Sequence, residues 1–245
     1  MDKTAVKLLR LYEHLCRAEV PLGVSALAAK LRLTKSNAHR ILRTLTGLGY
    51  AQQTADGLYA PTLKGWELGT LVMKRLDVVQ VAKPYLKELN LGTGESVYLA
   101  TLNGTAVVYL DVLESRYPIR INSVIGGTAP SHCSASGKLL LALMPAAQRD
   151  ALVSTLPLPR HNERTITDRA LMAKELDRIV ASGYALDNEE YVAGVACVAV
   201  PVRVAGEAVA AVAVHAATAR LPLQRAIEFI PRLTEAAQRI ATTFA

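Results

Sequence analysis

Polar and basic side chains between residues 35 and 44 belong to the types that contact DNA. Arg and Lys match the O6 and N7 acceptors of guanine, Asn matches adenine, and Ser, Thr and a helix N-terminus suit phosphate. We therefore predict base contacts from Ser36, Asn37 and Arg40. Other residues of the same segment are predicted to contact phosphate. The complete predicted DNA-binding set comprises Lys35, Ser36, Asn37, His39, Arg40, Arg43 and Thr44. For any one of these residues, an ordinary solvated surface position is the alternative.

Such a set needs a helix that turns one face toward DNA. Apolar residues recur at helical spacing on the opposite face, with Thr34 placed as N-cap, and they are Ala38, Ile41, Leu42 and Leu45. Two earlier apolar stripes, within residues 8–15 and 24–31, predict two further helices. Residues 32–34 form a short turn between the second and third helices, which predicts a helix-turn-helix.

The segment after this motif predicts a wing and a linker. Residues 50–60 contain two short strand patterns around Asp56-Gly57, a favoured hairpin turn. A helical pattern over residues 62–77 follows, and core packing is the preferred interpretation of its Trp66, with contact to a partner as the alternative. The predicted domains are a winged helix-turn-helix at 1–61, a linker helix at 62–77, and an effector-binding and oligomerisation domain at 78–245.

The charge distribution supports a nucleic-acid partner for the head. Residues 1–75 contain 12 Lys and Arg against 5 Asp and Glu, whereas residues 76–245 contain 16 of each. The whole net charge of +7 therefore lies in the first 75 residues. Basic residues on phosphate release counterions and supply affinity that does not depend on sequence. A solvated basic face is the alternative on charge alone.

Composition excludes several classes of protein. With 51% hydrophobic and 20% charged residues, the chain has the material for a folded core rather than for disorder. The most apolar stretch, residues 194–217, is interrupted by Pro201, Arg203 and Glu207, so we expect no membrane span. Three widely spaced cysteines and no secretory signal lead us to expect reduced thiols in the cytoplasm.

The remainder of the chain mixes strands and helices. Hairpins are predicted at Asn103-Gly104 and Ala205-Gly206, with a further strand at 118–125. Helices are predicted at 78–89, 134–144, 168–181 and 223–244. Antiparallel strands flanked by helices indicate an α+β fold.

Three segments resemble the IclR family of bacterial transcription regulators. They are GYALDNEEYVAGVACVAVPV at 183–202, GTAPSHCSASGK at 127–138, and KSNAHR at 35–40 followed by Leu45. The resemblance covers essentially the whole chain in the right order. It implies a winged head on a palindromic operator, a GAF/PAS-like antiparallel-sheet domain that binds a small effector, and a homodimer or homotetramer.

The resemblance also implies an effector pocket. Carried over residue by residue, its lining is Ser134, Ala135, Ser136, Asp187, Cys197, Ala213 and His215. Both strand positions 213 and 215 are often Ser in the family, and the turn before the third helix has Arg32 where Gly is usual and Thr34 where Pro is common.

The residue types of this pocket suit a small organic acid. Ser134 and Ser136 near a helix start offer hydroxyls and backbone N–H groups to a carboxylate, and His215 offers a cation or a donor. Asp187 would accept a bond from a hydroxyl. We therefore predict an aromatic or short hydroxy carboxylate. Ordinary capping by the serines and a satisfied core histidine are the alternatives.

Three other functions compete with this interpretation. Ser134, His215 and Asp187 are residue types found in hydrolases, but no GxSxG elbow or phosphate loop accompanies them, so we expect neither an enzyme nor a cofactor. A metal-responsive regulator would use Asp187, Cys197 and His215 with His132 or Cys133, although the spacing matches no standard zinc motif. A nucleoid-type protein would leave the neutral second domain without a role.

Overall fold

A computed structural model describes residues 2–73, 77–118, 121 and 123–244 of the chain. The chain forms two compact units, Met1–Leu76 and Asp77–Ala245. Each unit has its own hydrophobic core. The predicted boundaries at 61 and 77 stay predictions.

The described part of the N-terminal unit contains four helices and a hairpin. The helices are α1 (Lys3–Cys16), α2 (Val24–Lys30), α3 (Lys35–Gly47) and α4 (Lys64–Met73), and the strands are β1 (Ala51–Gln53) and β2 (Tyr59–Pro61). The hairpin pairs antiparallel, and Leu22 adds a β-bridge to Tyr59. This arrangement confirms the predicted winged helix-turn-helix.

Local chemistry explains why α3 begins and packs as it does. Thr34 is the N-cap, with its Oγ1 accepting a bond of 3.2 Å from the backbone N–H of Asn37. The four predicted apolar residues are all buried, among them Leu42 and Leu45. Burial of each leucine stabilises the fold by about 1.5–3 kcal/mol relative to exposure. These contacts fix which face of α3 remains outside.

The turn between α2 and α3 contains a strained residue. Arg32 has φ +52°, in the left-handed region that favours glycine. This conformation gives a physical reason for the glycine usual at this position in the family. In this chain the strained position is occupied by arginine, which places a cation just before the third helix.

Helix α4 departs from the prediction made for it. Trp66 is 72% exposed, so the preferred interpretation of core packing is wrong. The side chains of Leu63, Leu71 and Val72 are exposed as well. Helix α4 therefore carries an apolar surface that the described residues of its own chain do not cover.

The C-terminal unit is built on one antiparallel sheet. Its six described strands are β3 (Ser96–Asn103), β4 (Ala106–Leu113), β5 (Thr128–Pro130), β6 (Ala185–Asn188), β7 (Val195–Val204) and β8 (Glu207–Ala217). Their order across the sheet is β5-β4-β3-β8-β7-β6. Both predicted hairpins are confirmed, at β3-β4 and at β7-β8.

Helices accompany the sheet. They are α5 (Asp77–Thr93), α6 (Ala135–Ala142), α7 (Ala146–Thr155), α8 (Arg169–Ser182), α9 (Leu223–Ile227) and α10 (Ile230–Phe244). Helix α6 packs on β7, β8 and α8, whereas α10 packs on β7 and α5. The predicted α+β class is confirmed.

Helix α6 approaches the preceding loop very closely at Gly137. A Cβ built there would lie 2.4 Å from the Cα of Ser131 and 2.5 Å from its carbonyl oxygen. Real Cβ atoms do not reach such distances, so only glycine allows this packing. The contact holds the start of α6 against residues 131–134.

Two secondary-structure predictions need correction, and two elements were missed. The strand predicted at 118–125 is absent from its described residues, 118, 121 and 123–125, because β4 pairs instead with Thr128–Pro130. Residues 119, 120 and 122 lie outside the described residues. The helix predicted at 223–244 is broken between α9 and α10, and α7 and β6 were not predicted.

Among the described residues, no helix combines the length and apolar character needed to cross a membrane.

Candidate functional site

The outer face of α3 presents the residues predicted to bind DNA. Lys35, Ser36, His39, Arg40, Arg43 and Thr44 are exposed, and Asn37 is half-buried. All seven lie on the helix that the apolar side anchors in the core. The structure thus brings the complete predicted set together on one surface.

Two side-chain bonds organise the middle of this face. Arg40 Nη2 donates to Asn37 Oδ1 over 3.0 Å, and Thr44 Oγ1 donates to the backbone oxygen of Arg40 over 3.1 Å. The amide N–H₂ of Asn37 and the other guanidinium N–H groups of Arg40 are donors, which can bond to the acceptor atoms of a base edge. A linked Asn and Arg suit neighbouring adenine and guanine positions.

A basic cleft lies within the same unit, between α1 and the end of α2. It encloses about 710 Å³, and its lining contains Lys3, Lys7, Arg10, Lys30 and Arg32. Sequence patterning did not predict a DNA contact for any of these residues, because they are spread over 30 positions and only folding brings them together. In the sequence, the one signal for this cleft was the excess of basic residues in 1–75 over 76–245.

The C-terminal unit contains a cavity of about 320 Å³. Its described lining consists of Tyr109, Ile121, Ser123, Val124, Gly127, Thr128, Ser134, Asp187, Tyr191, Val192, Val195, Cys197 and His215. This volume is at the small end for ligand pockets, so it suits a compact molecule. No lysine or arginine occurs in the described part of the lining.

Strand register places three of the predicted pocket residues in one row. Asp187 on β6 pairs with Cys197 on β7, which pairs with His215 on β8. Ser96 on β3 continues the row beyond His215. The three residues thus form a continuous polar strip along the cavity wall.

An aromatic group completes this wall. The ring of His215 stacks on Tyr98 with centroids 3.9 Å apart and meets Tyr109 edge-on at 6.3 Å. Burial lowers the pKa of His215 to about 3, so the ring is neutral. Of the two predicted roles of His215, a cation or a donor, the neutral ring cannot fill the first. Its buried Nε2 has no partner among the described residues and can bond to a ligand.

Asp187 is the acidic group of the described lining. Its carboxylate accepts a bond of 2.7 Å from the backbone N–H of Glu190, and burial followed by repulsion from Glu190 raises its pKa to about 7. Burial also raises the pKa of Cys197 well above the usual range, with Asp187 adding to the effect. Cys197 therefore lines the cavity as a neutral thiol.

The remaining predicted pocket residues occupy different environments. Ser134 lines the cavity at the N-cap of α6, but its Oγ donates to the carbonyl of Pro130 at 2.7 Å instead of capping the helix. Ala135, Ser136 and Ala213 are buried and do not line the cavity. Ser136 Oγ has no hydrogen-bond partner among the described residues.

A buried ionic network lies behind the pocket. Lys138 on α6 is 1% exposed and forms ion pairs with Glu190 and, at 3.3 Å, with Glu175. Burial raises the pKa of Glu190, and Lys138 opposes that shift. Because the backbone N–H of Glu190 also holds Asp187, the network connects α6 to the cavity acid.

Comparisons with known proteins identify the family of both units. Residues 4–55 match the IclR helix-turn-helix domain, and residues 70–242 match the family described as bacterial transcriptional regulator IclR C-terminal. The chain belongs to the IclR family.

Relatives in this family resemble the chain over most of its length. The probable transcriptional regulator SauR of Cupriavidus necator is 36% identical over 99% of this chain and 97% of its own. KdgR of Escherichia coli K12, an HTH-type transcriptional regulator, is 32% identical over 91% of this chain and 86% of its own. An IclR homologue of Microbacterium hydrocarbonoxydans, crystallised with 4-hydroxybenzoate, has a TM-score of 0.83 and 27% identity, with 98% of both chains covered.

Membership of the IclR family establishes the general role of each unit. The chain is a transcriptional regulator with an N-terminal helix-turn-helix DNA-binding domain and a C-terminal effector domain. The relatives are named as regulators, a role that requires no catalysis.

The metal alternative finds no support in its predicted ligands. Although Asp187, Cys197 and His215 are neighbours across the sheet, they are not among the described groups of three whose ligand atoms converge. Such a group exists elsewhere, at His132, Cys133 and His161. His161 was not singled out from the sequence, because it belongs to a loop far from the other two along the chain.

Proposed function

We propose that this IclR-family regulator binds a palindromic operator as a homodimer and responds to an aromatic hydroxy carboxylate. Operator binding rests on the polar face of α3, where all seven predicted residues meet on one surface. The effector class rests on the cavity that combines an aromatic wall, hydroxyls and Asp187. The place of action is the cytoplasm, where an operator is accessible.

We propose that the two ends of such an effector contact different groups of the cavity. Ser123 and Thr128 offer hydroxyls to the carboxylate, which they can hold without a cation. The aromatic ring would pack against Tyr109 and His215, and an effector hydroxyl would donate to Asp187. Of the aromatic and short hydroxy acids predicted above, the aromatic class makes fuller use of this wall. The related protein crystallised with 4-hydroxybenzoate supports the same class.

The basic cleft extends the proposed DNA surface. Lys30 ends the helix before the turn that leads into α3, Arg32 lies in that turn, and Lys7 lines the same cleft. We propose that these cations contact operator phosphates beside the groove occupied by α3. Contacts of this kind fix the orientation of the protein on the duplex.

The function is tested by fluorescence anisotropy on the DNA upstream of the protein's own gene, at two salt concentrations, with a panel of small carboxylates titrated in. We expect salt-sensitive, specific binding that an aromatic hydroxy acid weakens or tightens. Equal affinity for this DNA and random duplex would refute autoregulation and require selection of genomic fragments instead. Specific binding that ignores every acid of the panel would refute the effector class alone.

We predict that Thr128→Phe abolishes the effector response and leaves operator affinity within about twofold. Thr128 is exposed at the cavity, so a larger side chain fills the entrance without disturbing the core. Isothermal titration of the effector and anisotropy on the operator separate the two readouts. Thr155→Phe, at an exposed position outside the cavity lining, is the matched control. An unchanged effector affinity in Thr128→Phe would place the pocket elsewhere.

We propose that α4 pairs with α4 of a second copy. Two heads on a palindrome must present α3 to half-sites about 34–36 Å apart, which requires a fixed contact between them. Exposed apolar surface on α4, centred on Trp66, fits such a contact.

We predict that Trp66→Lys shifts the dimer toward monomer by about 10-fold or more in dissociation constant, as expected when a buried aromatic anchor is lost. Sedimentation equilibrium over a range of protein concentrations measures the change. Val20→Lys, at an apolar residue 65% exposed in a loop, is the control. A dimer unaffected by Trp66→Lys would show that the copies associate through another surface.

A further inference from the structure

Two histidines and a cysteine meet beside the start of α6. His132 and Cys133 lie in the loop between β5 and α6, and His161 lies in the loop between α7 and α8. One ligand atom from each side chain falls within 4.8 Å of the other two. His132 and Cys133 are buried, whereas His161 is exposed.

The hydrogen bond of His132 prepares its ring to be a metal ligand. His132 Nε2 lies 3.0 Å from the carbonyl oxygen of Pro159. A carbonyl only accepts, so Nε2 must carry the hydrogen, and the lone pair is left on Nδ1. Metal-ligating histidines typically donate their other ring N–H to such a backbone or carboxylate oxygen. This bond is a second observation, independent of the proximity of the three residues.

The loop that carries His161 is held in place. Asn162 Nδ2 donates to the carbonyl of Glu189 over 2.8 Å, and Thr165 Oγ1 donates to that of Glu190 over 2.7 Å. The His161 ring contacts Tyr191 edge-on at 5.1 Å and lies 5.8 Å from the ring of His132. The three ligands are therefore held together before any ion arrives, which reduces the entropy cost of binding.

We propose that His132, Cys133 and His161 form a binding site for a divalent transition metal ion, with Zn²⁺ as the best match. Two imidazoles and one thiolate are ligands of intermediate softness, and three protein ligands leave a fourth tetrahedral position to water on the exposed side. Mg²⁺ and Ca²⁺ are disfavoured because they prefer oxygen ligands. On binding, the metal replaces the thiol proton of Cys133, which passes to solvent.

An ion at this site would join the α7–α8 loop to the entry of α6. Cys133 directly precedes Ser134 at the effector cavity, and Glu190 accepts bonds from the same loop that carries His161. The ion would thus stabilise one arrangement of the cavity wall. This site differs from the predicted set of Asp187, Cys197 and His215, and it does not depend on the proposed effector.

The test is a titration of the full chain, without a histidine tag, with Co²⁺ as a spectroscopic substitute for Zn²⁺. We expect a thiolate-to-cobalt charge-transfer band at one ion per chain, which Zn²⁺ displaces. Cys133→Ser should remove the band. His161→Ala, at an exposed position where folding is not at risk, should weaken metal binding by about 100-fold or more. Loss of a residue that merely hydrogen-bonds to a ligand costs about 10- to 100-fold, and loss of a ligand itself should cost at least as much.

The other two cysteines provide matched controls. Cys197→Ser and Cys16→Ser, at a buried and an exposed thiol respectively, should leave the band unchanged. The proposal is overturned if Co²⁺ binds without a thiolate band, if the band survives Cys133→Ser, or if His161→Ala binds as tightly as the wild type. Loss of the band in Cys197→Ser alone would also overturn it and transfer the site to the cavity.

Discussion

Replacing Lys138 with methionine is expected to lower the free energy of unfolding of the C-terminal unit by about 3–5 kcal/mol, the cost of breaking a buried ion pair from one side. The lysine is 1% exposed, and without it Glu190 would keep a buried carboxylate whose Oε2 already lacks a partner among the described residues. Loss of Lys138 destabilises Glu175 less, because Glu175 also forms an ion pair with Arg178 at 2.8 Å. Urea denaturation followed by circular dichroism measures the loss.

A second substitution distinguishes lost charge pairing from lost packing. Lys138→Met with Glu190→Gln removes both charges, so the double variant should recover much of the stability lost by the single one. Lys174→Met, at an exposed position on α8, is the matched control and should change the free energy by less than about 0.5 kcal/mol. A double variant no more stable than Lys138→Met would mean that packing of the lysine stem, rather than the ion pair, stabilises the unit.

Replacing Arg40 with alanine is expected to weaken operator binding by about 5- to 150-fold, the value of one good base contact of about 1–3 kcal/mol. Its guanidinium is exposed and oriented by Asn37 at 3.0 Å. Loss of a base contact should also relax sequence preference, so affinity for random duplex should fall much less. Anisotropy on operator and random duplexes measures both values, and effector affinity should not change.

Two further arginine and lysine variants separate base reading from charge. Lys7→Ala in the basic cleft should weaken binding to the operator and to the random duplex equally. It should also reduce the salt dependence of the affinity by about one released counterion. Arg160→Ala, exposed in the other unit, should do neither. If Arg40→Ala behaves like Lys7→Ala, the arginine contacts phosphate and not a base.

The helix-turn-helix was predictable because periodicity records burial directly. Every apolar residue predicted for α3 is buried, and Thr34 caps the helix as expected. Strands joined by Asn103-Gly104 were equally clear, because that turn has one strong conformational preference. Trp66 was misjudged, since an apolar residue type alone does not distinguish a core position from an exposed one.

The pocket was harder to predict than the fold. Family resemblance gave the segment around Ser134 but not which way each side chain points, and Ser136 faces the interior of the unit. The charge of His215 depends on its burial, which no local pattern reveals. Packing of two loops brings His161 close to His132, and no sequence pattern connects residues that lie so far apart along the chain.

The two edges of the sheet restrict how copies of this protein can aggregate. Its outer strands, β5 and β6, span three and four residues, while the ten-residue β7 and eleven-residue β8 lie inside the sheet and are paired on both sides over residues 196–199 and 211–215. Short edges expose few backbone N–H and C=O groups to a foreign strand, and Pro130 in β5 has no N–H to offer. Short edges of this kind disfavour amyloid-like growth of the folded protein from β5 and β6, and opening of the sheet would expose more of the apolar strands β7 and β8 to other chains.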